Sequence, residues 1–219
     1  MDASNQILLV IESAILGGSL ALFRNGKKIA EHTGDSDVSR SEDLLPNIAS
    51  MLDSAEIQGN NLERIIVSRG PGSFTGLRIG IATALGLAKA LGITADGVSL
   101  FDAMSVQPTS SRRRLAAVPF GRNDIAWQIT EHGKQLNIVS GPTASSIAEF
   151  VQNLNTIGDV ELIIHSDMIS RLDGHFVQQF TVHDLGTNLA AVIGAAILSN
   201  DLSVSGLEPI YLSNLARRA

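Results

Sequence analysis

An α/β fold in two lobes, each a mixed sheet with flanking helices, is the architecture this sequence predicts. Three observations lead to it. Short apolar runs suited to buried strands alternate with longer stretches of helical periodicity. The order strand, strand, strand, helix, strand, helix occurs twice along the 219 residues. Between the two occurrences lies "PTSSRRR" (108–114), where a proline, small polar residues and charge mark a boundary. The expected division is a first lobe over 1–107 and a smaller second lobe over 108–219, with the last helix and tail packing back on the first lobe.

In the first lobe, "ILLVI" (7–11) reads as a buried strand and "SLALFR" (19–24) as a second, following Gly17 and Gly18. Asn25-Gly26 is a turn signal before "KKIAEHT", so three antiparallel strands are expected. A helix then starts near Ser39, with Glu42 three residues on to complete a capping box. Leu44, Leu45, Ile48, Met51 and Leu52 recur at helical spacing, and Pro46 among them removes a backbone donor and is expected to bend the helix. "RIIVS" (64–68) is the next strand. It leads into "SRGPGSFTGLRIGIATALGLAKALG" (68–92), a glycine-rich loop and a helix, and "FDAMSVQ" follows as a short helix.

Beyond the boundary, "LAAVPF", "DIAWQIT" and "KQLNIVS" read as strands, with "EHGK" as a turn. "ASSIAEFVQNL" is a helix and "ELIIH" a strand. "TNLAAVIGAAILSN" closes the pattern as a helix capped by Thr187 or Asn188. Hydrophobic residues make up 44% and charged residues 17%, which describes a globular chain and excludes a disordered one. Aromatics are only 4%, so the core is built from Leu, Ile, Val and Ala. With no cysteine, thiol catalysis and thiolate zinc sites are excluded. The N-terminus "MDASNQ" lacks the basic flank of a secretory signal, and residues 79–88 and 189–198 fall short of a bilayer span. A cytoplasmic protein without a membrane segment is expected. A net charge of −6 argues against holding nucleic acid alone, and "RRR" (112–114) and "RR" (217–218), the candidate basic patches, read as solvated linker and tail charges.

The loop "GPGSFTGLR" lacks the lysine of a Walker A loop and the glycine spacing of a dinucleotide fingerprint. Two readings of it stay open. A helix N-terminus capped by Ser73 or Thr75 can hold an anion, or Gly70, Pro71 and Gly72 simply shape the turn. Along the helix, Thr75, Arg78 and Lys89 form the only polar stripe. Phe74, Leu77, Ile81, Leu85 and Ala88 fill one flank, and Gly76, Gly80, Ala84, Leu87 and Leu91 the other. An apolar back needs a cover. That cover is either a neighbouring helix of the same lobe or a subunit interface made together with the 39–56 helix. On the second reading, Gly80→Arg leaves the lobe folded or mildly destabilised and abolishes association.

The histidines at 32, 132, 165, 175 and 183 contain no His-x-x-x-His pair. Glu12 ends a strand and is the best single candidate for metal or phosphate work, with a plain turn residue as the alternative. Ser73 does not sit in Gly-x-Ser-x-Gly, and no base is placed by sequence to activate it.

The doubled unit resembles the actin-like ATPase superfamily, in which two related α/β lobes face each other across a cleft. More specifically, the stretch 68–92 resembles the signature of the TsaB (YeaZ) family, with Gly70, Pro71, Gly72, Ser73, Phe74, Thr75 and Gly76 as its loop. "LLVIESA…GSLALFRNGK", "SRSEDLLPNIASML" and "PIYLS" (209–213) are similar to other parts of that family. The resemblance implies a non-catalytic subunit for threonylcarbamoyladenosine formation in tRNA, partnered by the paralogue TsaD and the ATPase TsaE. It implies a homodimer in isolation, ATP used by a partner, no tightly bound cofactor and tRNA met only through the complex. The implied interface takes in Leu44, Leu45, Ile48, Met51, Leu52, Gly76, Arg78, Gly80, Ile81 and Ala84. The chain departs from the family pattern with Glu12-Ser13 in place of Asp-Thr, and with Arg40 in place of His. The alternatives are a stand-alone actin-like ATPase or small-molecule kinase working around Glu12, and a glycopeptidase-like protease.

Overall fold

The computed structural model describes residues 6–212 except 108–109, 133–135, 173–176 and 200. Most of "MDASNQ", part of the "EHGK" turn, His175 and Arg217-Arg218 lie outside the described residues.

The first lobe runs β1 (Ile7–Glu12), β2 (Ser19–Arg24), β3 (Lys27–Thr33), α1 (Arg40–Ser54), β4 (Arg64–Ser68), α2 (Phe74–Leu91), β5 (Thr94–Val98) and α3 (Leu100–Ser105). The second repeats that order with β6 (Arg113–Phe120), β7 (Asp124–His132), β8 (Leu136–Ser146), α4 (Ile147–Ile157), β9 (Glu161–Ile164), α5 (Asp167–Arg171), β10 (Val182–Asp184) and α6 (Leu189–Leu198). The sheets are ordered β3-β2-β1-β4-β5 and β8-β7-β6-β9-β10. In each, the first three strands pair antiparallel and the last two add in parallel. The repeat is therefore longer than the sequence pattern indicated. β5 was hidden because "TADGV" carries Asp96 and Gly97, both poor strand formers, and β10 has only three residues.

Period-two alternation assigns the layers. Ile7, Leu9 and Ile11 of β1, with Ile65 and Val67 of β4, face outward onto Leu44, Ile48, Met51 and Leu52 of α1 and Ile81, Ala84 and Ala88 of α2. Leu8, Val10, Phe23 and Ile66 face the other way. They share one core with Ala116, Val118, Ala126 and Ile163 of the second sheet, and α3 and α6 fill the space between through Phe101, Met104, Ile193 and Ile197. On the far side, α4 and α5 cover Leu115, Trp127 and Leu162. The tail returns to the first lobe: Gly97 and Ser205 exchange backbone hydrogen bonds, and Ile210 N–H donates to the Arg69 carbonyl at 2.7 Å.

One local expectation, at the start of α1, changes. Ser39 precedes α1 but makes no side-chain cap. Its hydroxyl meets that of Ser41, so the Ser39/Glu42 capping box is not formed. α1 runs from Arg40 to Ser54 without a break at Pro46. The reciprocal box forms instead at α4, between Ser146 and Glu149, and Asn188 caps α6 by accepting from Ala191 N–H at 2.9 Å.

Candidate functional site

Two regions of the first lobe carry the residues singled out by sequence. The first is the end of β1. Glu12 is fully enclosed, and its Oε1 accepts from the N–H groups of Ala14 and Ile15 at 2.7 and 3.1 Å. Burial pushes its carboxyl up to about 7, against the pull of those two backbone bonds and of Arg40. Across from it, the Arg40 guanidinium donates to the carbonyls of Gly17, Asp35 and Val38 and pairs with Asp43 at 2.9 Å. The loop after β3 is thereby closed down on the β1–β2 hairpin, where a Cβ on Gly17 would overlap the Gly34 carbonyl. Glu12, Ser19, His32, Arg40 and Asn47 wall a space of about 10 Å³, the room of a single water molecule and far too little for a phosphate. His32 Nε2 is buried there without a hydrogen-bond partner. No second acidic side chain lines this space. Among the described residues no group of three metal-ligating side chains occurs.

The signature loop is built against that same strand end. Gly70 holds φ +96°, a value that favours glycine, and its carbonyl accepts from Leu100 N–H at 2.9 Å. Ser73 caps α2, its Oγ accepting from Gly76 N–H at 3.3 Å, while its own N–H donates to the Ala14 carbonyl at 2.9 Å. The Ser13 hydroxyl donates to the Gly76 carbonyl at 2.8 Å. Pro71 and Gly72 are buried and Thr75 is exposed. In the absence of side chains at 72, 76 and 80, helix and strand end come into direct backbone contact.

This contact corrects the reading of α2 as a helix that offers its small residues to another chain. A Cβ on Gly76 would overlap the Ser13 carbonyl and one on Gly80 the Ser13 hydroxyl. Ile81 and Ala84 lie in the lobe's own core, as do Leu44, Ile48, Met51 and Leu52 of α1. The small residues form the inner row of the helix, so Gly80→Arg cannot leave the lobe folded. The outward surface is different. Leu45 on α1 and Phe74 and Leu85 on α2 are 54%, 53% and 49% exposed. Residues 74, 78, 85 and 89 fall within about 60° of one another at 100° per residue, which puts Phe74, Arg78, Leu85 and Lys89 on one exposed stripe. The Arg78 guanidinium sits 4.2 Å from the Phe74 ring centroid, and the Tyr211 ring of the returning tail lies 4.9 Å from it. Sequence reasoning missed Tyr211 and Arg40. Tyr211 is separated from Phe74 by more than half the chain. Arg40 was visible only as a departure from the family pattern.

α2 is also long and apolar enough, by length and composition, to cross a membrane. Here its inner row is embedded in the first lobe. In the second lobe, Glu161 accepts from Ser110 and contacts His183 at 2.8 Å. Burial pushes its carboxyl up, but these partners outweigh burial and hold it below the usual range. His165 is buried and its pKa is lowered by that burial, with Nδ1 accepting from Asp167 N–H at 3.1 Å, a structural placement.

Residues 36–209, more than half of the chain, match the family model described as TsaD, tRNA N6-adenosine threonylcarbamoyltransferase. The tRNA threonylcarbamoyladenosine biosynthesis protein TsaB of Bacillus subtilis is 32% identical over 98 residues, which cover 45% of this chain and 43% of that protein. The Haemophilus influenzae TsaB is 25% identical over 234 aligned positions, covering 96% and 94%. Against the first curated relatives the chain thus spans less than half of their length. YeaZ from Pseudomonas aeruginosa superposes with a TM-score of 0.62 at 20% identity, covering 94% of this chain and 100% of that one. A Bacteroides thetaiotaomicron protein with an actin-like ATPase fold gives 0.53 at 13% identity, covering 91% and 98%. The chain belongs to the family described as tRNA N6-adenosine threonylcarbamoyltransferase, and within it to the TsaB/YeaZ group.

Proposed function

We propose that this chain is a non-catalytic docking subunit of a tRNA threonylcarbamoyladenosine-forming assembly, in the cytoplasm. It presents the outer faces of α1 and α2 to a TsaD-type paralogue and works with a TsaE-type ATPase. The observation that carries the reading is the exposed set Leu45, Phe74 and Leu85, which lies on two helices whose inner faces are already satisfied. Large side chains left half in water on adjacent helices mark a surface that another protein desolvates. Arg78 and Tyr211 stacked on Phe74 supply a rigid aromatic and cationic anchor of the kind that concentrates binding energy.

The space beside Glu12 favours this reading over a stand-alone ATPase. A phosphate-transfer site needs room for phosphate and metal, and Arg40 fills the position. ATP is accordingly used by a partner, and tRNA is met through the assembly, in keeping with a net charge of −6. The test is reconstitution. The purified chain is mixed with TsaD and TsaE, and modified adenosine in tRNA is measured alongside co-elution with TsaD. Leu85→Glu, on an exposed position, is expected to leave the fold intact and to lower association with TsaD at least tenfold, a loss of about 1.4 kcal/mol or more. Micromolar binding of magnesium ATP to the isolated chain, or modification that proceeds equally well without it, would overturn the reading.

A further inference from the structure

A cleft of about 750 Å³ opens between β3 of the first lobe and the turn that joins β10 to α6 in the second. It shares no lining residue with the small space beside Glu12, and its size is that of pockets that enclose small organic molecules. The second-lobe wall is held from several sides. Leu185 N–H donates to the Ile164 carbonyl at 2.9 Å, and the Ser166 hydroxyl and Gly186 N–H donate to Asp184 Oδ1 at 2.7 and 2.9 Å. Asn188 Nδ2 crosses to the first lobe and donates to the Leu20 and His32 carbonyls at 3.2 and 3.0 Å. The turn is therefore fixed before any ligand arrives, which lowers the entropy lost on binding. Among the described residues Asp184 Oδ2 has no hydrogen-bond partner. On the first-lobe wall, Glu31 holds the Lys28 ammonium at 2.6 Å, and that ammonium has two further N–H groups. Ala191, Val192 and Ala195 of α6 add short apolar side chains to the lining.

We propose that this cleft binds a short peptide by its two free ends, with the N-terminal ammonium at Asp184 and the C-terminal carboxylate at Lys28. Charge selects the class. A carboxylate on one wall and an ammonium on the other match a zwitterion, whereas a simple anion is repelled by Asp184 and a simple cation by Lys28. Size selects the length. Against the ~30 Å³ share of one water, about 750 Å³ leaves a single amino acid loose, and two or three residues fill the space. The short side chains of α6 leave room for those of the peptide and favour small apolar ones. Gln107, whose Nε2 donates to the Ala103 carbonyl at 3.1 Å, keeps Oε1 to accept from a peptide N–H. With one end held by each lobe, the bound peptide bridges β3 to the turn before α6. The inference does not depend on the proposed TsaD partner, because the outer faces of α1 and α2 contribute nothing to this cleft.

Titration calorimetry of the full chain with trialanine tests this, alongside N-acetyl-trialanine, trialanine amide and spermidine. The wild type is expected to bind trialanine with a submillimolar Kd and to bind each blocked peptide at least tenfold more weakly. Asp184→Asn keeps the oxygen that holds the turn and removes the charge, and Lys28→Met keeps the stem and removes the ammonium. Each is expected to weaken trialanine at least tenfold with an unchanged thermal midpoint. The blocked peptides assign the ends: acetylation should cost Asp184→Asn nothing further, and amidation should cost Lys28→Met nothing further. Ala195→Phe, at an exposed position, fills the cleft and should abolish binding in a folded protein. Absence of binding at millimolar trialanine overturns the inference. So does binding that survives Ala195→Phe, a loss on acetylation that adds in full to that of Asp184→Asn, or a preference for spermidine, which would make the cleft a cation site.

Discussion

Glu12 stores an electrostatic cost at the end of β1, next to the Ser13–Ala14 segment on which α2 is seated. Its carboxyl is held near 7 by burial, above the ordinary value of 4.5 that it takes in the unfolded chain. The folded state therefore binds the proton more tightly than the unfolded state. The associated stability is complete below about pH 4.5 and is lost as pH rises through about 7, a loss on the order of 3 kcal/mol by pH 8. Glu12→Gln keeps an acceptor for Ala14 N–H and removes the charge. Urea denaturation of both proteins at pH 5 and pH 8 is expected to show a fall for the wild type that the variant lacks. An equal fall in both would assign the pH dependence to other groups. Arg40 takes part in the same balance, because its guanidinium is the cation that moderates the carboxyl.

At the scale of elements, α2 joins β1 through the absence of side chains. Gly80→Ala places a methyl on the Ser13 hydroxyl and is expected to cost about 1–3 kcal/mol. In a Ser13→Ala background the oxygen is gone, and the same change should cost less, a coupling of about 0.5–3 kcal/mol. Denaturant midpoints for the four proteins of the cycle measure it, and strict additivity would show that the two positions do not touch. The same contact explains what could be seen in advance. Helical periodicity grouped Phe74, Leu77, Ile81, Leu85 and Ala88 as one apolar flank, of which Leu77, Ile81 and Ala88 are buried while Phe74 and Leu85 are exposed, and short apolar runs identified β1, β2 and β4. Periodicity alone could not say which flank of α2 faced the sheet, because both flanks are apolar. The small-residue row looked like an outward docking track, yet it is the row that β1 requires. Leu45 was grouped with Leu44, although a turn of 100° between neighbours separates them on the helix surface, and only Leu44 is buried. Arg40 and Tyr211 depend on long-range closure, which no local pattern encodes.

At the scale of the whole molecule, the two lobes are not independent in their packing. α3 follows the first sheet and α6 follows the second, and both lie in the single core between the sheets. Phe101 and Met104 of α3 have no solvent exposure, and they share that core with Val118 and Ile163 of the second sheet. The tail adds a second tie by pairing Ser205 with Gly97. A chain whose lobes share a core of fully buried side chains should unfold as one unit. Phe101→Ala opens a cavity that both sheets line and is expected to cost about 3–5 kcal/mol. If the core is common property, the loss lowers a single calorimetric transition, and near-ultraviolet signals from Trp127 in the second lobe shift together with it. A variant in which the Trp127 signal keeps its wild-type midpoint while the rest of the chain unfolds earlier would show instead that each sheet carries its own stability, with α3 and α6 acting only as spacers between them.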